Sequence, residues 1–208
     1  MKKYSIGLNI FTNSIKSAPS TKIIKKMYYS FLGTFGNFPV YVYCDTHPNK
    51  RQAVKYINNL KKIFPVVIIT DSLSDGYIRS ITDREHKYLF QCEHDWIFTN
   101  DISHAIFEIL EIMERDNIWH LSFNKRANNP EEPHILEEKD IYTLATSFSN
   151  RHHIINREYF LKNCMGYMIK DKGSKGIWGK VAPAELVGAV YGKHYHPATV
   201  IHLDGRKS

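Results

Sequence analysis

The sequence predicts an α/β fold, a mostly parallel central sheet flanked by helices. Two observations carry that prediction. Four short runs rich in β-branched and aromatic residues fall in the first hundred residues, and helix-length amphipathic stretches lie between them. The runs are also nearly continuous in apolar character, the habit of parallel strands buried on both faces by crossover helices.

In chain order, "YSIGLNIF" (4–11) is the first strand and 20–31 the first helix. "FPVYVYCD" (38–45) is the second strand, followed by a helix over 48–63. "FPVVIIT" (64–70) is the third, followed by a helix over 71–87 for which Asp71 is a good N-cap. "YLFQCEHD" (88–95) is the fourth, and Trp96, Ile97 and Phe98 extend its apolar run. "TNDISHAIFEILEIMERD" then opens a helix capped by Asn100 or Asp101, with Ile102, Ala105, Ile106, Ile109, Leu110 and Met113 at helical spacing. "NIWHLSFNK" (117–125) reads as a fifth strand, and 126–140, with two prolines and several charges, as a mobile loop. A strand or turn, a helix beginning near Asn156, a Gly-rich loop leading to a short helix after Pro183, and a last strand "ATVIHLDGR" complete the chain.

The chain has 208 residues, which fits one domain. Hydrophobic residues at 43%, aromatics at 13% and charged residues at 24% exclude extensive disorder. The net charge of +7 admits an anionic partner. The cations are scattered along the chain, however, as Lys22, Lys25 and Lys26, then Lys61 and Lys62, then Lys170, Lys172 and Lys175. Such spacing reads as solvated helix faces, and nucleic acid is not the expected partner. Cys44, Cys92 and Cys164 are far apart and odd in number, which fits neither a disulfide framework nor a cysteine zinc site; Cys44 and Cys92, within strand-like runs, are expected as buried thiols, in a reducing, cytoplasmic compartment. No signal peptide and no membrane span is read in the sequence.

Ligands of open α/β sheets bind at the carboxyl ends of the strands. Those ends read Thr12-Asn13-Ser14, Cys44-Asp45-Thr46-His47, Thr70-Asp71-Ser72 and Glu93-His94-Asp95. Asp71 and Thr46 are accounted for as helix caps, whereas Asp45 and the Glu93/Asp95 pair are not. On an extended strand Glu93 and Asp95 would share a face, about 6 to 7 Å apart. Paired carboxylates at such an edge suit a hard cation shared with substrate phosphates, or, less well, the acid/base pair of glycoside hydrolysis.

The βα series followed by an apolar strand ending in "EHD" resembles the nucleotide-sugar-binding half of GT-A glycosyltransferases, with "EHD" standing where their D-x-D motif stands. The small size and the ending "IHLDGRKS" resemble in particular the compact single-domain glycosyltransferases encoded by large DNA viruses of algae. The resemblance implies a GT-A-like (Rossmann-like) single domain over 1–208, with 1–100 as the nucleotide-sugar half and 101–208 as the acceptor half. It implies a metal-dependent enzyme that transfers a hexosyl or deoxyhexosyl group from a nucleoside diphosphate sugar, UDP favoured over GDP, to a glycan, in the host cytoplasm if viral. Asp95 would bind Mn²⁺ (or Mg²⁺) and take part in catalysis, and Glu93 would hold the metal or the ribose. Thr12, Asn13 and Asp45 would hold base and ribose, and Arg79 and Arg84 the phosphates or sugar. His202 in "VIHLDG" would complete the metal shell, with Asp204 a weaker alternative.

For the acceptor, "KGIWGKVAPAELVG" offers Trp178 as a platform for a sugar ring and Glu185 as the general base of an inverting transfer. The adjacent His152 and His153 diverge in direction, and "KHYH" (193–196) lacks a third ligand, which disfavours a zinc hydrolase. Two alternatives stand beside the transferase. A sugar nucleotidyltransferase would need a Gly-rich loop where "FTNSIKSAPS" stands, and a basic module for nucleic acid or an anionic surface needs no catalytic residues at all.

Overall fold

A computed structural model describes residues 4–13, 19–45, 50–146, 152–167 and 188–203. Strand β1 (Ile6–Asn13) leads to helix α1 (Lys22–Phe35), β2 (Val40–Asp45), α2 (Lys50–Lys61), β3 (Val67–Thr70), α3 (Leu73–Thr82) and β4 (Tyr88–Glu93). There follow β5 (Trp96–Phe98), α4 (Ile106–Arg115), β6 (His120–Ser122), β7 (Ile135–Glu138), β8 (Tyr142–Ala145), β9 (His153–Asn156), α5 (Arg157–Asn163), β10 (Gly188–Tyr191) and β11 (Val200–His202). Nine of the described strands form one sheet in the order β3-β2-β1-β4-β9-β6-β10-β8-β7. The first four are parallel, β9 runs antiparallel between β4 and β6, and β8 and β7 are added antiparallel at the far edge. The α/β sheet expected from the sequence is present, with a mixed second half.

Helical layers cover both faces because each helix presents one apolar stripe. In α1 that stripe is Ile24, Met27, Phe31 and Phe35, spaced by three and four residues. The helix stops at Gly36, whose φ of 87° is glycine's region and whose N–H donates to Leu32 O at 3.0 Å. One face of the sheet packs against α1, α2 and α4 around interlocked rings of Phe31, Phe35, Phe90, Phe98 and Phe123, with centroids 5.0 to 6.0 Å apart. The other packs Phe11, Tyr43, Leu89 and Trp119 against Tyr77 of α3 and Phe160 of α5. All three cysteines are buried free thiols, as expected for Cys44 and Cys92, and Cys164 joins them.

Four local expectations are corrected. The fourth strand does not reach Asp95: it ends at Glu93, His94 and Asp95 form a turn, and Trp96–Phe98, which continue the apolar run, are a separate strand that pairs with β11 instead of joining the main sheet. Helix α3 is capped one residue later than Asp71, by Ser72, whose hydroxyl accepts the Asp75 N–H at 3.1 Å. Helix α4 starts after Ala105, whose N–H is taken by the Glu108 carboxylate at 2.8 Å, because Asn100 and Asp101 precede a non-helical connection. The stretch 126–140 is no plain loop: it contains β7, and Asn128 is buried at 3% exposure with its amide on the carbonyls of Tyr191, Gly192 and Lys193.

This topology positions a site. From β1 the chain steps outward to β2 and β3, then returns to place β4 on the opposite side of β1. The strand order therefore reverses between β1 and β4, where open α/β sheets bind ligands beyond the carboxyl ends.

Candidate functional site

Side chains alternate along a strand, so the strand-end residues divide by parity. Leu8 and Ile10 of β1, Val42 and Cys44 of β2, and Phe90 and Cys92 of β4 point to the α1/α2 layer. Phe11, Tyr43 and Leu89 point to the α3 layer. By the same alternation Asn13, Asp45 and Glu93 share the α3 side at the carboxyl edge, with Asn13 opposite Asp45 and Asp45 opposite Thr70. Asp45 and Glu93 are separated by β1, and Glu93 is level with Tyr43, two residues short of Asp45, so two strand spacings and that offset put them roughly 12 Å apart. Thr12 is turned the other way: it is 4% exposed, and its hydroxyl is 2.6 Å from that of Tyr56 on α2, a contact within the core.

Asp95 does not share a strand face with Glu93, because the turn redirects it toward β11. Its backbone carbonyl accepts the Leu203 N–H at 2.7 Å, and its Oδ2 is 3.2 Å from His202 Nε2. Side chains 107 positions apart in the chain (202 minus 95) thus meet because His202 pairs with Trp96 in the β5/β11 ladder. Both are largely shielded, at 13% and 14% side-chain exposure. The Trp96 ring stands edge-on to the His202 ring, with centroids 4.7 Å apart. Behind it, burial pushes the His152 imidazole down to about 3, so the ring is neutral and its Nε2–H donates to Trp96 O at 3.1 Å. His152 thereby holds the strand that follows Asp95. Its neighbour His153 faces the opposite way, toward the Tyr77 hydroxyl at 3.0 Å, so the two histidines diverge.

The donor set fits a divalent cation in part. A carboxylate oxygen and an imidazole nitrogen 3.2 Å apart match adjacent ligands of an octahedral ion whose bonds are about 2.1 Å, and such ions complete their shells with water and substrate phosphate. Among the described residues no three His, Cys, Asp or Glu side chains are gathered for a metal, so two protein donors at Asp95 and His202 are the core of the arrangement.

Asp45 is the electrostatic feature of the edge. Burial pushes its carboxyl up to about 6, against the Thr70 hydroxyl that donates to Oδ1 at 3.0 Å; Asp75 adds a further upward push. Nearby, Asn13 Oδ1 is buried and takes no hydrogen bond from the described residues. The raised value gives a stability prediction whose sign is that of a destabilising ionisation. Below about pH 4 Asp45 is protonated in both folded and unfolded chains; from there to about pH 6 only the unfolded chain ionises, and stability is lost. Asp45→Asn is therefore expected to stabilise the ligand-free protein by about 1 kcal/mol at neutral pH, a value discounted for partial solvent screening. Urea midpoints should show that gain shrinking to nothing by about pH 4.

The two arginines differ in their distance from this edge. Arg79 donates to Ile69 O at 3.0 Å and pairs with Asp83 one helical turn on. Arg84 precedes β4; its guanidinium donates to the Tyr43 hydroxyl at 2.9 Å and lies 4.0 Å over the Tyr41 ring. Tyr41 is four residues before Asp45, about 13 Å along the strand, so Arg84 is not at the carboxyl edge. Trp178, Glu185 and Asp204 lie outside the described residues, as do the Gly-rich loop and the helix expected after Pro183. Sequence reasoning assigned no role to Thr70 or His152, which orient Asp45 and the β5 strand; a strand-end threonine and one of two adjacent histidines gave no signal of those roles.

Among the described residues no helix is long and apolar enough to cross a membrane. No protein-family model matches the chain, and no curated protein matches it. Among solved structures it is similar to S. aureus TarS residues 1–349, crystallised with UDP-GlcNAc, at a TM-score of 0.55 and 10% identity. That alignment covers 98% of this chain and 62% of the other, so the chain spans less than two thirds of its neighbour's length. A second match, apo mouse xyloside xylosyltransferase 1, has a TM-score of 0.40 and 16% identity over 76% of this chain and 68% of that one. At such identity the TarS likeness establishes architecture: the chain has a GT-A-like α/β fold, with its acidic turn and a late histidine meeting at the switch point of the sheet.

Proposed function

We propose that the chain is a metal-dependent glycosyltransferase that moves a hexosyl or deoxyhexosyl group from a nucleoside diphosphate sugar to a glycan hydroxyl. The observation that carries this reading is the meeting of Asp95 and His202 at the edge where β1 and β4 part. Asp95 and His202 would hold Mn²⁺ (or Mg²⁺), which when bound would neutralise the leaving diphosphate as a Lewis acid, and Glu93 is assigned to the metal or the ribose on sequence alone. Asp45, ionised above about pH 6, accepts hydrogen bonds from the base or ribose, and Asn13 lies opposite it. Arg79 is the nearer of the two arginines to that edge, through its bond to Ile69, the residue before the last of β3. Uridine is favoured over guanosine, since the structure similar in fold holds UDP-GlcNAc. Glu185 is assigned as the base for an inverting transfer and Trp178 as the acceptor platform, both on sequence alone.

Thermal melting with UDP and with GDP, each with and without Mn²⁺, tests this directly. A ligand at a hundred times its Kd stabilises by about 2.7 kcal/mol, or roughly 5 to 10 °C for a chain of this size. A rise that needs both UDP and Mn²⁺ is expected, and it should weaken as pH falls through about 6 and Asp45 takes up a proton. No rise with either nucleotide, in protein that melts cooperatively, would remove the donor site.

A further inference from the structure

The first 70 residues contain eleven lysines and arginines and a single acidic residue, Asp45, while the remaining 138 contain seventeen cations and twenty acids. In the fold this asymmetry becomes a surface. Helices α1 and α2 are consecutive right-handed crossovers and pack side by side on one face of the sheet, joined by the Tyr28 and Phe64 rings at 5.2 Å and by Asn59 Nδ2 on Pro19 O at 3.0 Å. Their outward sides carry exposed Lys22 and Lys26 on α1 and Arg51, Lys55, Lys61 and Lys62 on and just after α2. None of the six is paired with a carboxylate of the described residues, and Asp45 is already bonded to Thr70 on the other side of the sheet. Helix α2 has no acid in its first turn, where the helix dipole favours one, so the positive end of the dipole adds to Arg51.

Two large apolar side chains stand out among these cations, Tyr29 at 62% exposure on α1 and Val54 at 57% on α2. An open depression of about 400 Å³, lined by Pro19, Arg51, Gln52 and Lys55, indents the same layer. The layer stops at α4, whose outer side carries Glu108, Glu111 and Glu114.

We propose that the α1/α2 layer is a docking surface for an anionic phospholipid bilayer. Five of the six exposed cations are lysines, point charges suited to a diffuse field of headgroups, whereas nucleic-acid readers rely on the bidentate arginine fork. Tyrosine prefers the membrane interface, and Tyr29 and Val54 supply apolar contact between the charges. The depression between Arg51 and Lys55 has room for a phosphate headgroup. Association of this kind is peripheral, reversible and weakened by salt. It does not rest on the transferase reading.

Co-flotation with phosphatidylcholine vesicles, with and without phosphatidylserine, is the test. Binding is expected only with phosphatidylserine and at low salt. Lys22→Glu/Lys26→Glu/Lys62→Glu should lower it about tenfold or more, while Lys125→Glu/Lys162→Glu/Lys193→Glu, with the same change in net charge elsewhere, should keep most of it. Tyr29→Ser should weaken vesicle binding at unchanged charge. If the reversal variant fails to melt cooperatively, Lys22→Gln/Lys26→Gln serves in its place, with a smaller loss expected. The nucleotide response, read by melting, should be the same in wild type and in the patch variants, which separates this surface from the donor site. Equal loss in both triple variants, no binding to acidic vesicles, or displacement from them by a short oligonucleotide that binds more tightly would each overturn the proposal, the last in favour of nucleic acid.

Discussion

Asp95→Asn is expected to abolish the rise in melting temperature produced by UDP with Mn²⁺ and to lower transfer at least about a hundredfold. Where no acceptor is supplied, hydrolysis of the donor sugar nucleotide reads the same loss. The substitution keeps the shape of the side chain and removes the charge that a hard cation needs. His202→Gln should act in the same direction, because its Nε2 is the atom 3.2 Å from the carboxylate. If the two act as one cation site, Asp95→Asn/His202→Gln will be little worse than the worse single variant, since a site already emptied cannot be emptied again. The ligand-free protein should melt within a few degrees of wild type in each case. The corner keeps the Leu203 N–H on Asp95 O and the β5/β11 ladder, and neither uses the side chains exchanged. Additive losses, with nucleotide still stabilising both single variants, would mean that Asp95 and His202 form only a structural ion pair.

The first half of the fold was legible in the sequence because its physics is local. Val40–Asp45 and Tyr88–Glu93 are buried on both faces, so they read as unbroken apolar runs, and Ile24, Met27, Phe31 and Phe35 trace a helix by spacing alone. What failed was decided by partners distant in sequence. Trp96–Phe98 is as apolar as the strand before it, and only pairing with Val200–His202 shows that it leaves the main sheet. Strand β7 buries Ile135 alone and exposes its other residues, so no periodicity announces it. At the site, the acids and His202 were visible as polar groups on apolar strands, but not the turn that carries Asp95 away from Glu93 and onto His202. The lysines were legible as solvated helix faces, but not that two adjacent crossovers place Lys22, Lys26, Lys61 and Lys62 on one helical layer.

Asn124→Ala is expected to cost about 3 kcal/mol, a fall in melting temperature of roughly 6 to 12 °C, and to weaken the nucleotide response although Asn124 belongs to no strand of the site. Asn124 is 3% exposed and is the junction through which the carboxyl-terminal segment is held. Its amide donates to Arg126 O at 2.7 Å, Pro197 O at 3.2 Å and His196 O at 3.3 Å, and its Oδ1 accepts the Thr199 hydroxyl at 2.6 Å. Alanine leaves those buried groups without partners, and the desolvation already spent on them is then uncompensated. Thr199→Val removes one of the same bonds and should cost about 1 kcal/mol; combined with Asn124→Ala it should add less than its own value, because the bond is already gone. The link to function is geometric. Residues 196–200 feed directly into β11, and His202 reaches Asp95 only while β11 stays in register with β5. The Asn124 carbonyl still accepts the N–H groups of Thr199 and Val200 in the variant, so β11 should loosen without being lost, and the nucleotide response should be reduced rather than abolished. A variant that melts lower but responds to UDP and Mn²⁺ as wild type does would show that β11 finds its register from the β5 ladder alone. Asn124→Asp distinguishes shape from chemistry: it can still accept from Thr199 but donates to none of the three carbonyls and buries a charge, so it should be at least as damaging as alanine.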